Sequence, residues 1–249
     1  MAVSLFLFSA ALLASIAFVD TVAIGQTSQP TSRPRRADGP QRWESAIAEF
    51  EKWDSKNTPP RDAILFVGSS SIVGWRSAAD FPELSIINRG FGGSQIEDST
   101  HFADRIIAPY KPRAIVFYAG DNDVAAGESA EKVLADFDDF VARVRSTAPR
   151  TPIVFLSIKP SRSRWQLWPI AKAANLAIAA RCAADRDGLL RYVDVASVLL
   201  DEKSGEPRDE LFLGDKLHLS KAGYAKWNEV LRPVLHEVLK TPTSAPMKP

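Results

Sequence analysis

Two apolar periodicities alternate along the chain from residue 43 onward. Trp43, Ile47, Phe50 and Trp53 recur at helical spacing, and Pro59-Pro60 closes that pattern. Five short β-rich runs follow, at Ala63–Val67, Ser85–Asn88, Ala114–Tyr118, Ile153–Ser157 and Leu190–Val193. Helical patterns fill the gaps, most clearly over Ser129–Arg145, Leu167–Asp185 and Ser220–Leu239. The strands are nearly continuously apolar rather than alternating, as expected of strands covered on both faces. Strands of that kind, separated by helices, predict an α/β fold with a parallel sheet of about five strands between two helical layers. No internal repeat interrupts the pattern.

In such a sheet the ligand site lies in the crevice at the carboxyl ends of the strands. The segments placed there, in strand order, are Gly68-Ser69-Ser70-Ser71, Gly90-Phe91-Gly92-Gly93-Ser94 and Gly120-Asp121-Asn122-Asp123. Lys159 to Trp168 follows the fourth run, and the connection after the fifth leads to Asp215-Lys216-Leu217-His218. All five are expected to meet on one rim.

The N-terminal sequence departs from this pattern. The first 19 residues carry no charge, and Ala23-Ile24-Gly25 supplies small residues for a cleavage site before Gln26, so residues 1–25 read as a secretory signal. The usual basic start is missing and the run is long enough to span a bilayer, so an uncleaved signal anchor is the alternative. Either reading implies export, with membrane contact only if the anchor is retained. Residues 26–41, rich in Pro, Ser, Thr and Arg, read as a solvated linker, 42–240 as the catalytic domain and 241–249 as a flexible tail.

Charge and cysteine content narrow the function classes. Without residues 1–25, whose one charge is Asp20, the chain holds 31 basic and 29 acidic groups, which gives no nucleic-acid-binding field. The single Cys182 rules out a disulfide framework, and three histidines (His101, His218, His236) without metal-ligand spacing leave zinc no ligand set. Neither a metal nor another cofactor is expected.

Singly, each rim segment has an ordinary explanation: Gly-Ser-Ser-Ser as a turn with helix-capping hydroxyls, Asp-Asn-Asp as an Asx-turn, Asp215 to His218 as a loop before a Ser220 N-cap. Together they meet the needs of acyl transfer. A serine hydroxyl is a weak nucleophile that needs an imidazole to take its proton and a carboxylate to orient that imidazole. Ser70, His218 and Asp215 supply the three groups. The backbone N–H groups of Ser70 and Gly93 and the Asn122 amide could serve as oxyanion donors.

On these residues the chain resembles the SGNH/GDSL hydrolase superfamily. ILFVGSSSIVGW is similar to its nucleophile block, NRGFGGSQ to its glycine block, AGDND to its Gly-x-Asn-Asp block and DKLH to its Asp-x-x-His block, across roughly Ala63 to Leu239. The resemblance implies a flavodoxin-like three-layer sandwich and a serine esterase acting through an acyl-enzyme without cofactor. It makes Ser70 the nucleophile, Gly93 and Asn122 oxyanion donors, His218 the base and Asp215 its partner. The chain departs from the family in having Ser69 where Gly-Asp-Ser has aspartate, so a hydroxyl must take over that residue's part in the turn.

His236 reads as a helix-surface or packing residue, His101 as a weak rim candidate and Cys182 as a small core residue. Trp75, Arg164, Trp165 and Trp168 are candidate substrate-binding residues, the indoles as sugar-stacking surfaces, with core packing as the alternative. Absence of a long apolar lid favours short acyl esters of carbohydrate-like alcohols. The alternatives are a lysophospholipase or thioesterase for longer chains, and a non-catalytic binding module.

Overall fold

The computed structural model describes residues 39–240 together with Met1. The signal or anchor at 1–25, most of the linker at 26–41 and the tail at 241–249 lie outside the described residues. A single turn of 3-10 helix at Pro40–Trp43 leads into α1 (Glu44–Asp54). Strand β1 (Ile64–Gly68) is followed by the short helices α2 (Ser70–Val73) and α3 (Ser77–Asp80), and β2 (Ile86–Gly90) by α4 (Ile96–His101) and α5 (Ala103–Ile106). Next come β3 (Ala114–Tyr118), α6 (Asp121–Ala125) and the long α7 (Ala130–Thr147), then β4 (Ile153–Leu156), α8 (Trp168–Ala183), β5 (Leu190–Val193) and α9 (Lys221–Val238). Among the described residues no helix is long and apolar enough to cross a membrane.

The five strands are parallel in the order β2-β1-β3-β4-β5, a flavodoxin-like arrangement. Strict alternation of side chains across the sheet creates two cores. Leu65, Val67, Ile115 and Phe117 face one side, where α1, α4, α5, α7 and α8 cover them. Ile64, Phe66, Val116 and Tyr118 face the other, where Trp227, Leu231 and Leu235 of α9 pack with Ile72 and Trp75. Both faces are thus covered, the physical reason these strands show no polar alternation.

The topology reverses at β1, between β2 and β3, and register then decides which loops meet. Gly68 pairs with Gly90 on one side and with Tyr118 on the other, so the segments leaving these strands start at one level. Gly68 has φ +138°, and a Cβ there would lie 1.9 Å from the Tyr118 carbonyl oxygen. Only glycine lets β1 close against β3 at the point where the Ser70 turn begins.

Candidate active site

Ser70 is the first residue of α2, reached through an extended Ser69 at the N-cap position, whose hydroxyl makes no capping bond and so does not take over the part expected of it in the turn. Its Oγ lies 3.0 Å from His218 Nε2, and His218 Nδ1 lies 2.6 Å from Asp215 Oδ2. The structure therefore brings together the three groups expected from the sequence. It also separates the serines of the triplet. Ser69 and Ser71 are fully buried with hydroxyls that reach no partner, whereas Ser70 is partly open and faces the imidazole.

Asp215 and His218 sit on one exposed turn pinned by its own backbone. Asp215 Oδ1 accepts from the N–H groups of Leu217 and His218, both at 2.9 Å, and Lys216 takes the left-handed φ of +56° that folds the turn. The hydrogen bond from the His218 ring, joined by those two N–H groups, holds the Asp215 carboxyl well below the usual carboxylate range. It stays ionised at any working pH and can fix the imidazole tautomer. Outside the turn, Ser163 N–H donates to Lys216 O at 3.2 Å, and Asp209 bridges Lys216 and Arg162.

The other two loops border Ser70. Gly93 has φ +77° and packs on Trp43, whose ring lies 3.3 Å from where a Cβ would sit. Next to it, a Cβ on Gly92 would come within 3.9 Å of Ser70 Cβ, which places the glycine loop against the serine. Gln95 and Asp98 form a capping box that fixes the start of α4. Among the described residues, the N–H groups of Ser70 and Gly93 donate to no acceptor. Asn122, buried in the first turn of α6, donates from Nδ2 to Ser94 O at 2.9 Å, which leaves its second amide hydrogen unassigned.

Sequence reasoning missed the charged cluster below Asn122. Lys159 and Asp121 form a buried ion pair at 2.8 Å, with the Tyr118 hydroxyl 3.2 Å from the Lys159 ammonium. Burial opposes ionisation of Asp121, but the Lys159 and Arg164 cations outweigh it and keep that carboxyl below its ordinary range. The sequence did carry a signal: a lone lysine directly after an apolar strand, where a buried cation needs a partner.

Arg164 lies over Asn122 rather than in open solvent, its guanidinium bonded to the Asn122 side chain and the Asp121 carbonyl. Trp165 and Trp168 are half-buried and stacked on each other, ring centroids 6.3 Å apart and planes within 13°. Trp75 requires a correction. It is 3% exposed, wedged between Phe66 and Trp227, and donates from Nε1 to Asn228, so it is a core residue and presents no face to a substrate. His236 is an exposed helix residue near Glu83, and His101 is exposed with its ring against Phe102. Cys182 is buried, and loss of solvation pushes its thiol up to about 11.

Asp123, Glu128 and Asp136 each place a carboxylate oxygen within 4.8 Å of the others. The Lys132 ammonium pairs with Asp136 and the Gln95 amide donates to Glu128, so the chain itself supplies a cation and a donor to this cluster. Burial, then the Asp136 charge, pushes Glu128 from 4.5 to about 7. Folding therefore favours the protonated acid, and stability falls as pH rises from about 4.5 to about 7. Glu128→Gln is expected to raise Tm by roughly 2–4 °C at pH 8 and to change it little at pH 5. Equal shifts at the two pH values in thermal melts would show that ionisation is not the cost.

A serine hydroxyl facing an oriented imidazole, at the switch point of a doubly wound parallel sheet, is the arrangement of an α/β serine hydrolase. The chain belongs to the GDSL-like Lipase/Acylhydrolase family, whose sequence profile matches residues 66–226, from β1 into α9. It is accordingly a hydrolase acting on ester bonds. Solved structures share the fold. A protein from Streptococcus pneumonia, provisionally described as a platelet activating factor, is 22% identical with a TM-score of 0.69, over 78% of this chain and 94% of that one. A GDSL-like lipase from Bacteroides thetaiotaomicron is 14% identical at TM-score 0.63, over 77% and 97%. A family 3 carbohydrate esterase from Clostridium thermocellum is 15% identical at TM-score 0.58, over 73% and 98%. Comparison with curated protein sequences found no match.

Proposed function

We propose that the protein is an exported serine esterase that removes short acyl groups, acetyl foremost, from carbohydrate-like alcohols. The observation that carries the esterase chemistry is the continuous path Ser70 Oγ, His218 Nε2, His218 Nδ1, Asp215 Oδ2, with links of 3.0 and 2.6 Å. Ser70 attacks the ester carbonyl as His218 takes its proton, and the carbonyl oxygen becomes an oxyanion facing the N–H groups of Ser70 and Gly93 and the Asn122 amide. Collapse expels the alcohol, which leaves with the proton from His218. Water, deprotonated by His218, then attacks the acyl-Ser70 ester, and the acid and free serine are released.

Two features support the finer reading. Asn122 lies beside the partly exposed Arg164 guanidinium, a polar surrounding that suits a hydroxyl-rich alcohol better than a lipid tail. Half-open Trp165, stacked on a Trp168 that itself packs against the core, adjoins Arg164 and offers a flat apolar face of the kind that packs on sugar rings. The carbohydrate esterase fold neighbours point the same way. The uncharged N-terminal run supports export.

The test is an ester panel on residues 26–249. Acetyl esters are expected to exceed octanoyl esters of the same alcohol by at least tenfold in kcat/KM, and Trp165→Ala to lower kcat/KM on an acetylated oligosaccharide by about 2–13-fold, the loss of one stacking contact of about 0.5–1.5 kcal/mol. Preference for octanoyl esters would favour a lysophospholipase or thioesterase. Full activity of a normally folded Trp165→Ala on the oligosaccharide would remove the alcohol assignment.

A further inference from the structure

The Asn122 amide is held by two groups of opposite hydrogen-bonding character. Its Oδ1 accepts from both terminal nitrogens of Arg164, Nη1 and Nη2, each at 3.1 Å, while its Nδ2 donates to the Ser94 carbonyl at 2.9 Å. A guanidinium can only donate and a carbonyl can only accept. Turning the amide over would set N–H against N–H at one end and oxygen against oxygen at the other, so the orientation shown is the only one these neighbours allow. In this orientation the remaining Nδ2 hydrogen is the part of the side chain not committed to the protein.

Arg164 is itself anchored. Its Nη1 also donates to the Asp121 carbonyl at 2.9 Å and lies 3.5 Å from Asp121 Oδ2, which is neutralised from the other side by buried Lys159. Within the Lys159, Asp121 and Arg164 cluster two cations face one carboxylate, which leaves a net positive charge beside Asn122. Arg164 backbone angles of φ −123° and ψ 24° break the helical turn at Arg162–Leu167, and at this break its side chain is directed onto α6. The side chain is one quarter exposed, so water screens the contact only partly.

From this geometry we infer that Arg164 is a positioning residue for the oxyanion donor: its forked, charge-assisted hydrogen bonds lock the Asn122 amide with one Nδ2 hydrogen free to donate and, by drawing electron density onto Oδ1, strengthen that N–H as a donor. This replaces the sequence-based expectation that Arg164 binds substrate, and it rests on the serine esterase reading above. A substrate-binding arginine would act on ground state and transition state alike. One that acts through the oxyanion donor contributes when negative charge develops on the carbonyl oxygen.

The experiment is a double-mutant cycle on residues 26–249 with Asn122→Ala, Arg164→Gln and the pair. It is read by kcat and KM on p-nitrophenyl acetate and by the rate of covalent labelling with a fluorophosphonate. Thermal melts of each variant report folding, and Arg164→Lys, which keeps the charge but loses the fork, is a second probe. Arg164→Gln is expected to lower kcat and the labelling rate by about 10–100-fold with KM within about threefold. Arg164→Lys should lose at least about half of that effect on a logarithmic scale, and Arg164→Gln should cost no more than about threefold once Asn122 is alanine. Losses that multiply in the double mutant, a change confined to KM, or an Arg164→Lys variant equal to wild type would overturn the inference. Failure of the wild-type enzyme to label or turn over would instead overturn the esterase reading, and wild-type rates in folded Arg164→Gln would overturn only the role of Arg164.

Discussion

Ser70→Ala is expected to lower kcat by about 10³-fold or more while Ser69→Ala and Ser71→Ala stay within about tenfold of wild type. Of the three hydroxyls only that of Ser70 lies within reach of His218 Nε2. The Ser69 and Ser71 hydroxyls are buried without partners, so trimming either to alanine removes a polar atom that makes no bond. Serine-directed phosphonate labelling provides a second readout, since Ser70→Ala should abolish the adduct and the neighbouring variants should keep it. An active Ser70→Ala with a silent neighbour would move the nucleophile by one residue and reassign the whole turn.

Asn122→Ala is expected to lower kcat by about 10²–10³ with a smaller change in KM. The amide is buried at the start of α6, held at both ends by Ser94 and Arg164, and so needs no reorganisation when the carbonyl oxygen acquires charge. Steady-state kinetics on an aryl acetate, with a thermal melt to confirm folding, provide the check. A change confined to KM would make Asn122 a substrate-binding residue.

Much of this architecture was legible because it rests on local patterns. The runs at Ala114–Tyr118 and Leu190–Val193 are the strands β3 and β5 to the residue, and the three long helices shift by only a residue or two at their ends. The short helices α2 to α6 escaped detection, since four to six residues are too few to show a 3.6-residue period and lie among turn-forming Gly, Ser and Asp. Trp75 was misplaced for a related reason. It follows the nucleophile block closely, but the chain turns back after α2 and buries the indole between Phe66 and Trp227. The contact of Arg164 with Asn122 joins residues 42 apart in sequence, and Lys159 meets Asp121 across 38, distances at which no periodicity reports proximity.

Among the described residues every hydrogen bond that the Asp215 side chain makes is to Leu217 or His218. The imidazole and its carboxylate are thus aligned within a turn of four residues by bonds the turn makes to itself. Among the described residues the rest of the chain reaches this turn at few points, among them Ser70 at the His218 ring, Ser163 and Asp209 at Lys216, and Leu213 at the His218 carbonyl. Substitutions on the glycine loop, which makes no hydrogen bond to this turn among the described residues, can therefore reshape what the enzyme accepts without disturbing the alignment of its base, whereas changes at Arg162 or Ser163 reach the turn directly.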